Sequence, residues 1–288
     1  MVKTYDVKNN EEFKSCEPSY FQYLDLFSIM FDPDNSPITK NFSLKNIFPL
    51  NTIINISKAG VFLFTFFGMI YFNNYSKAAW CYLALHGSYG VIWIAKDLIF
   101  GDKGFKIKVN IIVAITLIVV LLLYYTMSFM IVTKRCDQNP SDERIFICFF
   151  LYILGVVLMI ATDVQKYVVL EYKKGLIDNY LLKNNRNTNF FGEMMLYSSF
   201  AILTTSYIPF AILISIWSTV FVSRIWTKER SLMKKEGYIK YKKNSYILLF
   251  KIFSKDIYNV LFYSFIVFVS YLCYNNGGIE KSIKLLIN

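Results

Sequence analysis

The chain has 288 residues, of which 55% are hydrophobic and only 18% charged, with 27 Phe and 22 Tyr against 12 Gly and a formal charge of +11. That balance excludes a soluble enzyme, and in so apolar a chain the positive charge points to anionic headgroups or an anionic cofactor rather than to nucleic acid. A single histidine, His86, excludes two-histidine metal motifs and most histidine-dependent triads, while five cysteines without a CxxC pair offer neither a disulfide framework nor a zinc site, so no metal is expected.

Residues 1–46 form a polar segment that fits neither a signal peptide nor an Arg-rich transit peptide and is expected to stay on the protein. Seven acids and three lysines fall in its first 34 residues. Within it, Tyr20 to Phe31 is dense in aromatics and has two readings: a helix along the membrane interface, or a segment packed on cytosolic loops. Residues 47–288 read as one transmembrane domain. Uncharged stretches recur at 59–76, 78–95, 109–133, 145–162, 194–223 and 257–279, each near the ~18 to 20 residues a helix needs to cross a bilayer core. The stretch 194–223 is too long for one crossing, and Ser206-Tyr207-Ile208-Pro209 offers a turn, so it divides into spans at about 188–205 and 208–226. The expected fold is all-α and polytopic, with about seven transmembrane helices.

Basic residues agree with that number. With the N-terminus in the cytosol, 23 Lys and Arg fall on the cytosolic side and 6 on the other, while Lys58 and Lys96 fall near span ends. The C-terminus is then outside. Lysines such as Lys173, Lys174, Lys234 and Lys235 need no role beyond fixing this topology. Acids near span ends differ, because the positive-inside rule gives them nothing and entry into the membrane costs energy. Asp163 and Glu193 are therefore candidate functional groups, the alternative for each being a structural ion pair with Lys166 or Arg186.

Two polar loops should meet on the cytosolic face, because the hairpin between the fifth and sixth spans returns the chain to the same side. The first runs through Asp163, Gln165 and Lys166, then Arg186-Asn187-Thr188-Asn189-Phe190-Phe191-Gly192-Glu193. The second runs through Arg224, Lys228-Glu229-Arg230-Ser231-Leu232, Gly237, Tyr241 and Lys242. Together they provide cations for phosphate, amides for hydrogen bonds and aromatics for stacking. In this order the residues resemble the C-terminal half of the steroid 5-alpha-reductase and sterol-reductase superfamily, which shares its membrane fold with isoprenylcysteine carboxyl methyltransferases. The likeness covers about 145–250, with a short addition at Leu85-His86-Gly87-Ser88-Tyr89. It departs from the usual pattern at Asn187-Thr188, where His-Pro is common, and at Leu248-Leu249, where a proline is expected.

The resemblance implies NADPH, held by Asp163, Lys166, Asn189, Phe190, Glu193 and Tyr241 with Arg186 as phosphate partner, and with Arg224, Lys228 and Glu229 in the second basic cluster. It implies reduction of a lipophilic, steroid- or lipid-like double bond. The alternatives are transfer of a methyl group from S-adenosylmethionine to a lipid or prenylated acceptor, and a non-catalytic subunit of a membrane assembly. For the reductase, Tyr89 is the candidate proton donor, since a phenol needs no charge in hydrocarbon, and His86, three residues earlier, is placed to orient it; ordinary helix-to-helix hydrogen bonding is the other reading of His86. Membrane lipids and a lipophilic substrate are the expected partners, and analogy favours the endoplasmic reticulum over the mitochondrial inner membrane.

Overall fold

The computed structural model describes residues 45–287; the Tyr20 to Phe31 segment and nearly all of residues 1–46 lie outside them. The described chain is all-α apart from one antiparallel pair, β1 (Phe48–Pro49) with β2 (Lys108–Val109). The helices are α1 (Leu50–Tyr71), α2 (Lys77–Tyr82), α3 (Ser88–Phe100), α4 (Ile111–Leu122), α5 (Tyr125–Val132), α6 (Asp142–Tyr172), α7 (Thr188–Thr204), α8 (Tyr207–Ile216), α9 (Val222–Met233), α10 (Tyr238–Asn244), α11 (Asp256–Asn275) and α12 (Ile279–Ile287). Single π-helical turns at Leu83–Gly87 and Trp217–Phe221 join α2 to α3 and α8 to α9.

Five stretches are long and apolar enough to cross a membrane: Leu50–Tyr71, Ile111–Val132, Asp142–Tyr172, Tyr207–Met233 and Asp256–Asn275. The protein is therefore an integral membrane protein. The other two predicted spans are also helical but of different character. The helix from Lys77 to Phe100 carries Lys96 and Asp97, and α7, at 17 residues, is about 26 Å long, short of a ~30 Å hydrocarbon core. Its burial compensates for its length, because Leu196, Ser199, Phe200, Ala201 and Leu203 are fully enclosed by neighbouring helices.

Side-chain caps set several helix starts. Asn110 accepts from Ile112 N and Val113 N at 3.1 Å, Ser141 from Arg144 N at 3.3 Å, and Ser206 from Ile208 N at 3.3 Å. Ser206 follows Thr205, which is left-handed at φ 52°, so the turn expected near Ser206 to Pro209 does separate α7 from α8. The first helix is longer at its start than the predicted 59–76. Its polar residues Asn51, Asn55 and Lys58, which break the apolar run in the sequence, all face α3: both amides donate to Asp97 Oδ2, at 3.1 and 2.7 Å, and Lys58 donates to Tyr89.

The α6–α7 hairpin is the centre of the bundle, and two glycines make it possible. A Cβ on Gly155 would lie 2.6 Å from the carbonyl oxygen of Gly192, and one on Gly192 would lie 2.6 Å from that of Gly155, so the two backbones touch. Small residues permit such close approach inside membranes, where dispersion rather than water drives helix association. Around this hairpin, Thr65 and Ser128 share a hydroxyl hydrogen bond of 2.7 Å and Ser88 meets Tyr152 at 2.6 Å. By contrast, α11 buries only Asn259.

Gly192→Ala and Gly192→Leu test the hairpin. Alanine gains about 1 kcal/mol of helix propensity, whereas overpacking against a backbone atom costs roughly 1–3 kcal/mol. A lower unfolding midpoint in detergent is expected for Ala, and a larger drop for Leu. An unchanged midpoint would show that the helices are not in backbone contact.

Candidate functional site

The predicted residues divide into two structures that share one helix, α9. The first is a buried clamp between the two polar loops. Arg186 donates through Nε to Glu229 Oε1 and Oε2, at 3.0 and 2.9 Å, and through Nη1 to the carbonyl and hydroxyl oxygens of Ser245, at 2.6 and 3.1 Å. Glu229 also accepts from Tyr238 OH at 2.8 Å, and Tyr241 OH donates to the Leu182 carbonyl at 2.5 Å. Burial, reinforced for Tyr238 by the hydrogen bond to Glu229, raises both phenols well above their ordinary range, so neither ionises near neutrality. Asn185 and Asn187 reach the carbonyls of Leu248 and Ile247, at 2.6 and 2.8 Å. Arg186, expected to meet a phosphate, is instead committed to Glu229 and Ser245: a guanidinium that is 5% exposed must be paired, and its Nε–H is shared between the two carboxylate oxygens while Nη1 takes the serine. Glu229 and Tyr241 belong to the same clamp.

The second structure is a cavity of about 710 Å³, within the ~300–1,000 Å³ usual for small-molecule sites. Helical periodicity assembles its walls. Leu50, Ile54 and Lys58 share one face of α1, as do Leu117, Val120 and Leu121 on α4, and Glu193 and Tyr197 on α7, with Tyr124 in the turn between α4 and α5. On the long helix, Ile216, Val220, Arg224, Thr227, Lys228 and Ser231 follow the same three-four spacing, so the cavity runs roughly 22 Å along it at 1.5 Å per residue. Trp93, Phe105 and Phe221 complete it. One end is apolar and aromatic, and the other carries Arg224, Lys228 and hydroxyl groups.

Of the predicted cofactor residues, Glu193, Arg224 and Lys228 line this cavity. Arg224 lies over the rings of Phe105 and Phe190, at 4.6 and 5.8 Å from their centroids. Lys228 Nζ donates to the Arg186 carbonyl at 2.6 Å and to Asn187 Oδ1 at 3.0 Å, which links the cavity wall to the clamp. Glu193 has no ion-pair partner among the described residues. Asp163 pairs with Lys166 at 2.5 Å, a partner named in its alternative reading, and with Lys96, which that reading did not name. Phe190 packs edge-on against Phe221, 5.3 Å between centroids, and the buried Asn189 Oδ1 has no hydrogen-bond partner among the described residues.

The His86–Tyr89 arrangement differs from expectation. His86 Nδ1 shares a hydrogen bond of 2.6 Å with Tyr82 OH, one helical turn back, and the imidazole stacks on Phe200 at 4.2 Å. Tyr89 is instead oriented by Lys58, whose Nζ donates to its hydroxyl at 2.5 Å. The ammonium also sits 3.2 Å from the Trp93 ring centroid and 4.7 Å from that of Tyr89. Lys58 and Trp93 were not singled out by sequence. The available signal was a lysine inside a lipid-length helix, eight and four residues after Leu50 and Ile54 on the same face.

The fold and the cavity thus define an all-α integral membrane protein with an amphipathic cavity among its helices. The chain belongs to the family described as protein of unknown function (DUF1295), which matches residues 100–245. That match takes in α4 to α10, while Lys58 and Trp93 precede it. A comparison with curated proteins gave no significant match.

The clamp makes a quantitative prediction. Arg186→Met leaves Glu229 buried without its cation and should destabilise the protein by ~3–5 kcal/mol. Adding Glu229→Gln removes the orphaned charge and should recover part of that loss, giving a favourable coupling energy in a double-mutant cycle of unfolding midpoints. Additive losses would mean the two side chains do not interact.

Proposed function

We propose that this protein is a membrane-embedded reductase that uses NADPH to reduce a double bond in a lipophilic substrate. The observation that carries the reading is the polarity gradient of the cavity. Three cations, Lys58, Arg224 and Lys228, outnumber the two acids, Asp102 and Glu193, and the inner end is walled by Leu117, Leu121, Tyr124, Tyr197 and Ile216. A polyanionic cofactor suits the basic end better than cationic S-adenosylmethionine does, and a lipophilic substrate suits the other.

In this reading Arg224 and Lys228 hold the cofactor's phosphates, with Thr227 and Ser231 beside them. Glu193, lining the chamber without an ion-pair partner among the described residues, accepts hydrogen bonds from the cofactor's amide or ribose. When bound, NADPH supplies hydride. Tyr89 does not itself line the chamber; Lys58, which does, donates to its hydroxyl, so the accompanying proton would reach the substrate from the Lys58 ammonium, with Tyr89 behind it as the positioning residue. Arg186 acts from the clamp as a positioning residue, by fixing the loop that carries Asn187 and hence Lys228. The resemblance of residues 145–250 to the steroid 5-alpha-reductase and sterol-reductase superfamily supports the same chemistry and favours the endoplasmic reticulum.

Arg224→Met retains apolar length over Phe105 but removes the charge. It should weaken NADPH by on the order of tenfold or more, the worth of a charge-assisted contact, without moving the unfolding midpoint, as measured by equilibrium titration of the purified protein. Tight S-adenosylmethionine binding with no NADPH binding would overturn the reading in favour of methyl transfer, and binding of neither would favour a non-catalytic subunit.

The reading also needs seven spans with both polar loops on one side. The 23 to 6 distribution of basic residues supports this. Cysteines placed at the exposed positions Tyr180 and Lys240 should be labelled by an impermeant reagent from the same face of sealed vesicles. Labelling from opposite faces would remove the common cofactor end.

A further inference from the structure

The inner end of the cavity holds a cation whose bonding is incomplete. Lys58 is nearly enclosed, yet it lines the chamber. It makes one hydrogen bond, to Tyr89 OH, and has no ion-pair partner among the described residues. An ammonium has three N–H donors, so two are left without a protein acceptor. Trp93, Tyr89 and Tyr197 surround it with ring faces, at 3.2, 4.7 and 5.8 Å from their centroids, which stabilise positive charge but supply no oxygen. The chamber's own carboxylates, Asp102 and Glu193, do not pair with it. The other buried cations are handled differently: Lys96 is bound to Asp163, and Arg186 to Glu229. Glu193 acts on Lys58 through space but lies outside ion-pair distance, and a cation in an apolar bundle without a direct counter-ion is costly unless a ligand completes it.

We infer that Lys58 binds the carboxylate of an acidic, lipophilic substrate, so that the substrate class of this chamber is a long-chain or polycyclic carboxylic acid. Two free donors and one positive charge match two oxygens and one negative charge. The apolar residues beside Lys58, namely Ile54, Leu117, Leu121 and Ile216, then take the hydrocarbon body. The inference rests on the chamber being a substrate site, but not on its cofactor. A phosphate could also meet Lys58. The cationic end of the chamber, at Arg224 and Lys228, is the better phosphate site because it adds hydroxyls and opens toward the cytosolic loops.

The test uses the full-length protein in an uncharged detergent, titrated with the fluorescent polyene cis-parinaric acid and with its methyl ester, and read by energy transfer from tryptophan. The wild-type protein should prefer the acid by on the order of tenfold or more, the worth of a charge-assisted hydrogen-bonded pair. Lys58→Met should bind acid and ester about equally while keeping the wild-type ester affinity, which also reports that it is folded, and Lys58→Arg should retain the preference. Saturating NADPH should leave the acid's affinity unchanged. Equal binding of acid and ester by the wild-type protein would overturn the inference without recourse to any variant, as would a preference that survives Lys58→Met. Competition between NADPH and the acid would also overturn it, assigning Lys58 to a cofactor phosphate. Acid preference in a protein that binds no NADPH would sink the reductase reading alone.

Discussion

A charge placed among apolar helices has to be answered by another charge or by several hydrogen bonds, and most of this molecule's architecture follows from how that requirement is met. Asp97 gathers two asparagine amides from α1, Asp163 gathers two lysines, and Arg186 and Glu229 answer each other. All of these links but the Asp163–Lys166 pair, three residues apart on α6, join elements far apart in sequence. They fix where α1 stands against α3, where α3 stands against α6, and how the two polar loops close over the bundle. Lys58 is the instructive case, because its one hydrogen-bond partner among the described residues is a phenol.

The bundle separates structural charge from chemical charge along a single helix. Glu229 and Lys228 are adjacent residues, and about 100° of helical rotation sends one into the clamp and the other to the chamber wall. Arg224, one turn before Lys228, falls on the chamber side as well. A disturbance of the clamp therefore reaches the chamber through Lys228, which holds the Arg186 carbonyl and the Asn187 side chain. The π turn at Trp217–Phe221 belongs to the same arrangement, since it sets the phase with which Val220 and Phe221 enter the chamber relative to Arg224.

Depth is organised as well as side. The α6–α7 hairpin can be central because Gly155 and Gly192 let the backbones touch, and α7 can be short because other helices enclose it. In contrast, α11 buries only Asn259, whose side chain accepts from Ile252 N and Phe253 N and so ties the helix to the loop before it.

The sequence by itself determined the all-α membrane class, the turn that divides α7 from α8, and the convergence of two polar loops, because apolar length, turn chemistry and lysine placement are local properties that a chain carries before it folds. It also named three residues that line the chamber, Glu193, Arg224 and Lys228. What it could not decide was which charges would satisfy one another. Arg186 and Glu229 are separated by 43 residues, Lys96 and Asp163 by 67, and Lys58 and Tyr89 by 31, and no period or motif in the sequence encodes those distances. Tertiary structure assigned Arg186 to the clamp, His86 to Tyr82 and Tyr89 to Lys58, because inside a bundle the partner of a polar group is whichever complementary group packing brings within about 3 Å.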